Sequence, residues 1–346
     1  MSVRRVLHAG EFSYGASGEG VAAGFRKLGW ENHFVDIRDH FLASPALPLR
    51  LAARAMRPLL VRSYNDAILR AARQVEPHAL LTVKGLNIEP ATLRALGRMG
   101  VRSANYFPDF HFRHGGFDVN TFAQYDFVFT TKSFQLDALR EQFGVREPHF
   151  LHHGYSSAVH YPRLAEVSEA DFEVDCLYVG IGSPYKAKWL HALQRRAPNV
   201  SLKIVGANWR NLLRGTPLEP CYLGYPLFGD AYARAAQTAR INLAFHSGPS
   251  GPQGWQDLVS TRTFEIPACR GFMLHIDNSE TRSLFAPGEE IGAFASEDEL
   301  VEKVIHYLAR PEQRAQMIER AYARCVPAYS YDARAVVLSR ALAGAG

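Results

Sequence analysis

The sequence concentrates its chemically capable side chains between His246 and Gly271. A loop rich in Gly, Ser and Pro, headed by His246, precedes Asp257, Ser260, Arg262 and Glu265, and an apolar run follows. The spacing predicts a strand end, a loop, a short helix starting near Ser260, and a further strand. A helix start leaves backbone N–H groups without intrahelical partners, which suits a phosphate. Arg262 adds a planar guanidinium that grips phosphate oxygens in pairs. Glu265, one turn further on, is placed to accept hydrogen bonds from ribose hydroxyls. Taken alone, Arg262 and Glu265 are an ordinary i,i+3 surface pair. Together with the loop and Ser260 they describe a nucleotide site.

A second loop has matching chemistry. Gly180-Ile181-Gly182-Ser183 leads into Pro184-Tyr185-Lys186-Ala187-Lys188. Glycine amides, the Ser183 hydroxyl and the ammonium groups of Lys186 and Lys188 are the parts a diphosphate needs, although the P-loop spacing is missing. In the first half, Phe107-Pro108-Asp109-Phe110-His111 follows a strand-like run. Asp109 and His111 there suit proton transfer; the plainer alternative is a turn with a partly buried His. Gly15, Gly18 and Gly20 follow His8-Ala9-Gly10-Glu11 in a pattern that is not the dinucleotide fingerprint and reads as an acceptor-binding loop. His152 and His153 are adjacent, so on an extended chain their rings point apart. No metal site is expected.

These loops need a scaffold. Strand-like runs at Arg5–Ala9, Asn32–Ile37, Ala79–Val83, Arg102–Phe107 and Phe127–Thr131 alternate with helical spacing at Val21–Leu28, Ser63–Gln74, Ala91–Met99 and Phe134–Phe143. After an irregular crossover the alternation resumes, with strands at Cys176–Gly180, Leu202–Gly206, Ile241–Phe245 and Phe272–Ile276. Helical spacing separates and follows them, ending in an apolar tail from Tyr331 to Leu342. The pattern predicts an α/β protein built from two doubly wound parallel sheets. The expected organisation is a first domain over 1–155, a second over 156–326, and a terminal helix over 327–346 that packs back on the first. Ligands of such sheets bind beyond the carboxyl ends of the strands, so two facing domains are expected to enclose a central cleft.

Composition narrows the class. The 346 residues are 47% hydrophobic and 21% charged, which excludes a disordered or fibrous chain. No apolar run approaches the ~20 residues of a membrane span, and no secretory signal is expected. Cys176, Cys221, Cys269 and Cys325 lack the spacing of a zinc site or a disulfide framework, so a cytoplasmic location is expected. The net charge is +5, all of it carried by the first 150 residues. Arg50, Arg54, Arg57, Arg62, Arg70 and Arg73 face a single nearby acid, Asp66. This excess suits an anionic ligand or a peripheral membrane contact through residues 41–62; the plainer alternative is a solvated helix face. No nucleic-acid recognition motif accompanies it.

The run Ser260-x-Arg262-x-Phe264-Glu265-x-x-Ala268-x-x-Gly271, with Glu289-Glu290-Ile291, Glu299-Leu300 and Pro311-x-x-Arg314, resembles the second domain of GT-B glycosyltransferases, nearest the CgeB-like, group-1 kind. Lys84-Gly85, Phe107-Pro108-Asp109 and Leu151-x-x-Gly154 are similar to the first domain. The resemblance implies two Rossmann-like domains, with a nucleoside diphosphate sugar bound mainly by the second and an acceptor, anionic or lipid-linked, bound mainly by the first. It implies no metal and no other cofactor. On this reading Gly182, Ser183, Lys186, Lys188, His246, Ser260, Arg262 and Glu265 hold the donor. Asp109 or His111 serves as base, with Glu11 and His8 behind them. One feature departs from the pattern: group-1 proteins carry two Glu separated by seven residues, and Asp257 stands where the first belongs. The alternatives are a non-hydrolysing, epimerase-like sugar-nucleotide enzyme and a catalytically inactive nucleotide-sugar-binding protein.

Overall fold

The computed structural model describes residues 3–41, 52–112, 117–224, 227–250 and 254–344. The chain forms two compact units: Met1–His152 together with Tyr331–Gly346, and His153–Ser330.

The first unit holds strands β1 (Arg5–Gly10), β2 (Glu31–Asp36), β3 (Ala79–Val83), β4 (Arg102–Phe107), β5 (Phe127–Thr130) and β6 (Pro148–Phe150). They form one parallel sheet in the order β2-β1-β3-β4-β5-β6. The three-residue β6 escapes sequence pattern because it is short and opens on Pro148, as an edge strand can. The order reverses between β1 and β3. A doubly wound sheet opens its ligand crevice at that point, beyond the carboxyl ends of the two strands.

One of the glycines after β1, Gly20, has a different role from the one the spacing suggests. Gly18 and Gly20 lie inside the helix Ser17–Lys27, which begins four residues before the expected start. A Cβ on Gly20 would stand 2.6 Å from the Tyr331 ring, and one on Gly24 would stand 2.6 Å from Ala335 Cβ. The missing side chains let the helix Tyr331–Ala343 lie close against Ser17–Lys27. Ser17 Oγ and Tyr331 Oη are 2.7 Å apart, and Lys27 Nζ donates to Asp332 over 2.6 Å. Tyr331, Ala335, Leu338 and Leu342 join Val6, Val21, Phe25 and Leu81 in one core. Two small-residue positions one turn apart thus serve helix packing rather than a ligand.

The second unit holds β7 (Val174–Val179), β8 (Leu202–Val205), β9 (Ala239–Ala244), β10 (Met273–Ile276) and β11 (Gly292–Phe294) in the parallel order β11-β10-β9-β7-β8. Its order reverses between β7 and β9. The loops leaving those two strands, at Gly180–Ser183 and Phe245–Ser250, are the two that sequence chemistry singles out.

Helices with an early proline start sooner than apolar spacing suggests. Arg57–Val75 carries Pro58 in its first turn, and Pro184–Arg196 opens on proline, against expected starts at Ser63 and Lys188. Proline lacks an N–H that the first turn does not need, and its fixed φ already fits a helix. Among the described residues, no helix is long and apolar enough to cross a membrane.

Candidate functional site

In the second unit, the loop after β7 is shaped by packing before any ligand arrives. Trp209 Nε1 donates to the Gly180 carbonyl over 2.7 Å, and the Trp209 ring would stand 2.8 Å from a Cβ on Gly182. Gly206, at φ +132°, lies against the Gly180 backbone. Gly182 is therefore required by Trp209, which the spacing of the loop does not reveal. Ser183 caps Pro184–Arg196 by accepting from the Lys186 amide, so its hydroxyl is engaged by its own helix.

Lys186 and Arg262 converge on this loop. The Lys186 side chain is buried and folds back so that Nζ donates to the Ile181 carbonyl over 2.9 Å. Burial, and secondarily the Arg262 charge, pull its pKa from 10.5 down to about 8, while Asp257 opposes them. The Arg262 guanidinium lies over Gly180, its Nη2 3.3 Å from where a Cβ would sit. Arg262 Nε and Ser260 Oγ are both buried and find no hydrogen-bond partner among the described residues. The first turn of Pro184–Arg196 contains no acidic residue. Two cations, a helix dipole and the unspent Arg262 Nε therefore meet at one strand end. This arrangement costs stability when empty and suits a polyanion.

Three expectations for this half need correction. Lys188 lies two residues past Lys186 and hence on the other side of the helix. Its Nζ pairs with Glu297 at 2.9 Å, and its side chain is 68% exposed. The amides opening the helix Arg262–Ala268 are largely spent: those of Thr263, Phe264 and Glu265 donate to the carbonyls of Ser260 and Thr261. A tight turn runs directly into this helix and consumes the donors a free N-terminus would offer. His246 does not sit in an open loop; it is buried, with Nε2 3.0 Å from His275 Nε2.

Glu265 sits one turn beyond Arg262, and its Oε1 is 3.8 Å from His160 Nε2. The Ser156 amide donates to His160 Nδ1 over 3.1 Å, so a neutral His160 carries its proton on Nε2, toward the carboxylate. Burial lowers the His160 pKa, and the Glu265 charge only partly restores it. Nothing in the irregular stretch around His160 signals this partnership in the sequence.

In the first unit, Asp109 follows β4 and Lys84 follows β3. Lys84 Nζ and Asp109 Oδ1 form an ion pair at 3.3 Å. Lys84 and Gly85 both take positive φ, and Gly85 packs so closely on Asn105 and Tyr125 that no side chain fits. Gln135 Nε2 donates to the Asp109 carbonyl over 2.9 Å and fixes the loop. His111 is exposed, its ring edge-on to Phe110. Glu11 is exposed and accepts from Ser13 Oγ over 2.8 Å. His8 is a core residue: it is buried among Phe12, Phe25 and Phe34, with Nε2 2.7 Å from Asn32 Oδ1. Burial drives its pKa to about 4, which removes it as a base near neutral pH. A pocket of about 330 Å³ opens beside it, lined by Phe12, Glu19, Ala22, Arg26, Phe34 and Asp36.

The arginine-rich stretch is partly described. Arg50 lies outside the described residues. The helix Arg57–Val75 buries Tyr64, Asn65, Ile68 and Ala72. It leaves Leu59 65% exposed, beside Met56 at 50%. Arg62 pairs loosely with Asp66 at 3.9 Å.

Residues 186–339 match the family model described as "Glycosyl transferase-like". No curated protein sequence matches the chain. Among solved structures, sucrose-phosphate synthase from Thermosynechococcus elongatus is similar over 99% of this chain and 100% of its own, at 14% identity and a TM-score of 0.68. HepE from Anabaena, in complex with UDP-glucose, is similar over 98% and 99%, at 10% identity and a TM-score of 0.66. A UDP-N-acetylglucosamine 2-epimerase is similar over 99% and 97%, at 11% identity and a TM-score of 0.55. At such identities the likeness establishes the shared two-sheet GT-B architecture.

Proposed function

We propose that this chain, a glycosyltransferase of the GT-B fold, takes its sugar from a nucleoside diphosphate sugar held at the β7–β9 crevice of its second unit. The observation that carries this reading is the convergence of Lys186 and Arg262 on the Gly180–Ile181 backbone, with Arg262 Nε left without a hydrogen-bond partner among the described residues. In the reaction, the bond from the anomeric carbon to the diphosphate oxygen breaks and a bond to an acceptor oxygen forms. The diphosphate gains negative charge as it leaves, and Lys186 and Arg262 stabilise that charge. Removal of one such preorganised donor typically costs on the order of 10²–10³ in rate. These cations take the part a divalent ion would otherwise play, so we expect activity to survive chelation. Glu265, steadied by His160, accepts the ribose hydroxyls.

The first unit supplies the acceptor side. Asp109, held by Lys84, is the candidate to take the acceptor's proton; His111 and Glu11 are too exposed to be fixed by their surroundings. The aromatic and charged pocket beside His8 offers a further acceptor contact. Arg54, Arg57, Met56 and Leu59 present cationic and apolar groups outward, which supports contact with an anionic membrane surface or a lipid-linked acceptor. The four cysteines are all unbridged, which suits the reducing cytoplasm.

The direct test is calorimetric titration of UDP-, GDP- and dTDP-sugars against the wild type and Arg262→Ala. One of them should bind the wild type at least tenfold more tightly than the variant. Binding of none, or equal binding to both, refutes the site. Conversion of a bound donor in the absence of any acceptor would instead favour epimerase chemistry, which the same architecture hosts.

A further inference from the structure

His275 takes no part in the chemistry above, yet it ties together the segments that carry the donor site. It is fully buried at the carboxyl end of β10. Its Nδ1 lies 2.6 Å from the Ile276 carbonyl oxygen. A carbonyl can only accept, so Nδ1 carries the proton, and Thr281 Oγ1, at 3.3 Å, shares it. Nε2 is then a bare lone pair. Two groups converge on it: Thr263 Oγ1 at 2.9 Å and His246 Nε2 at 3.0 Å. Both must donate. Thr263 Oγ1 in turn accepts from the Ser260 amide at 3.3 Å.

We infer that His275 is a positioning residue for the donor site. As a neutral Nδ1–H tautomer, it holds His246 as its Nε2–H tautomer and anchors the Ser260–Thr263 turn from which Arg262 projects. The inference rests on the reading of the β7–β9 crevice as the donor site, but its geometry does not. One acceptor atom joins the loop after β9, the start of Arg262–Ala268 and the end of β10. No charge is involved, so the node adds nothing to the field at the crevice and fixes only the direction of its groups. Burial keeps it neutral, with a pKa of about 4. A protonated His275 would turn its acceptor into a donor facing two donors.

The test has two arms. Nitrogen-15 NMR of histidine-labelled protein near neutral pH should show His275 protonated at Nδ1 only and His246 carrying its proton at Nε2. A His275 protonated at Nε2 overturns the proposal. In the second arm, UDP is titrated into His275→Gln and His275→Leu. Glutamine can place Oε1 where Nε2 stood, so binding should stay within about threefold of the wild type. Leucine fills the space but leaves two buried donors unsatisfied, and should weaken UDP binding about ten- to hundredfold. Equal binding by both variants overturns the proposal. If the leucine variant does not fold, Thr263→Val against Thr263→Ser makes the same comparison. A wild type that binds no nucleotide refutes the donor site and with it the positioning role, while the spectrum shows whether the node itself is as described.

Discussion

Lys186→Met should stabilise the protein while impairing donor binding. The unfolded chain holds the Lys186 proton with the ordinary pKa of 10.5, and the folded chain with one of about 8. The folded state therefore binds this proton less tightly, and below pH 8 it carries a penalty. At about 1.4 kcal/mol per unit, the penalty is roughly 3 kcal/mol. Methionine removes it but strands the Ile181 carbonyl, which costs about 1 kcal/mol. The expected net gain at pH 7 is about 2 kcal/mol, or several degrees in Tm. Between pH 8 and 10.5 the wild type should gain stability relative to the variant as its ammonium deprotonates. Donor binding should show the reverse trend. A diphosphate beside Lys186 favours the charged form, so wild-type affinity should fall as pH rises above 8. Lys188→Met is the control: its ammonium pairs with Glu297 on the outer face, so UDP affinity should not change. Denaturant titrations at pH 7 and 10, with calorimetric UDP titrations, read all of this. A methionine variant less stable than the wild type at pH 7, or one that binds UDP equally well, refutes the account of Lys186 as a strained, anion-seeking cation.

Gly24→Ala tests the packing of Tyr331–Ala343 on Ser17–Lys27. Overpacking against Ala335 costs about 1–3 kcal/mol, and better helix propensity returns about 1 kcal/mol, so a net loss of up to about 2 kcal/mol should appear in thermal melts. A raised Tm would show that the two helices are not held at the observed distance. Flotation with vesicles rich in anionic lipid should capture the protein at low salt and release it as ionic strength rises, with Arg54→Glu/Arg57→Glu abolishing capture. Absence of capture by the wild type at low salt removes the membrane contact.

The sequence made the sheets legible because buried parallel strands are continuous apolar runs, and the alternation with helices is regular from Arg5 to Ile276. Very short edge strands escaped, since three residues at Pro148–Phe150 or Gly292–Phe294 carry no period. The donor loops were legible for a related reason: Gly180–Ser183 and Phe245–Ser250 leave the two strands flanking the point where strand order reverses, and loop chemistry concentrates there. What sequence could not separate was the purpose of individual residues within a loop. Glycine is demanded equally by a ligand and by a neighbour, and only the Trp209 ring against Gly182, or Tyr331 against Gly20, tells which. Histidine poses the same difficulty. His8, His246 and His275 all precede loops at strand ends, yet each is buried and hydrogen-bonded to another side chain. The discriminating quantity is whether a polar group's hydrogen bonds are already met. Arg262 and Ser260 keep unspent atoms, whereas the Thr263, Phe264 and Glu265 amides do not. That balance depends on the geometry of the turn at Ser260 and Thr261 and on the packing around Arg262, which residue types alone do not specify. It is also why Arg262, rather than the start of its helix, is where substitution should weaken the donor most.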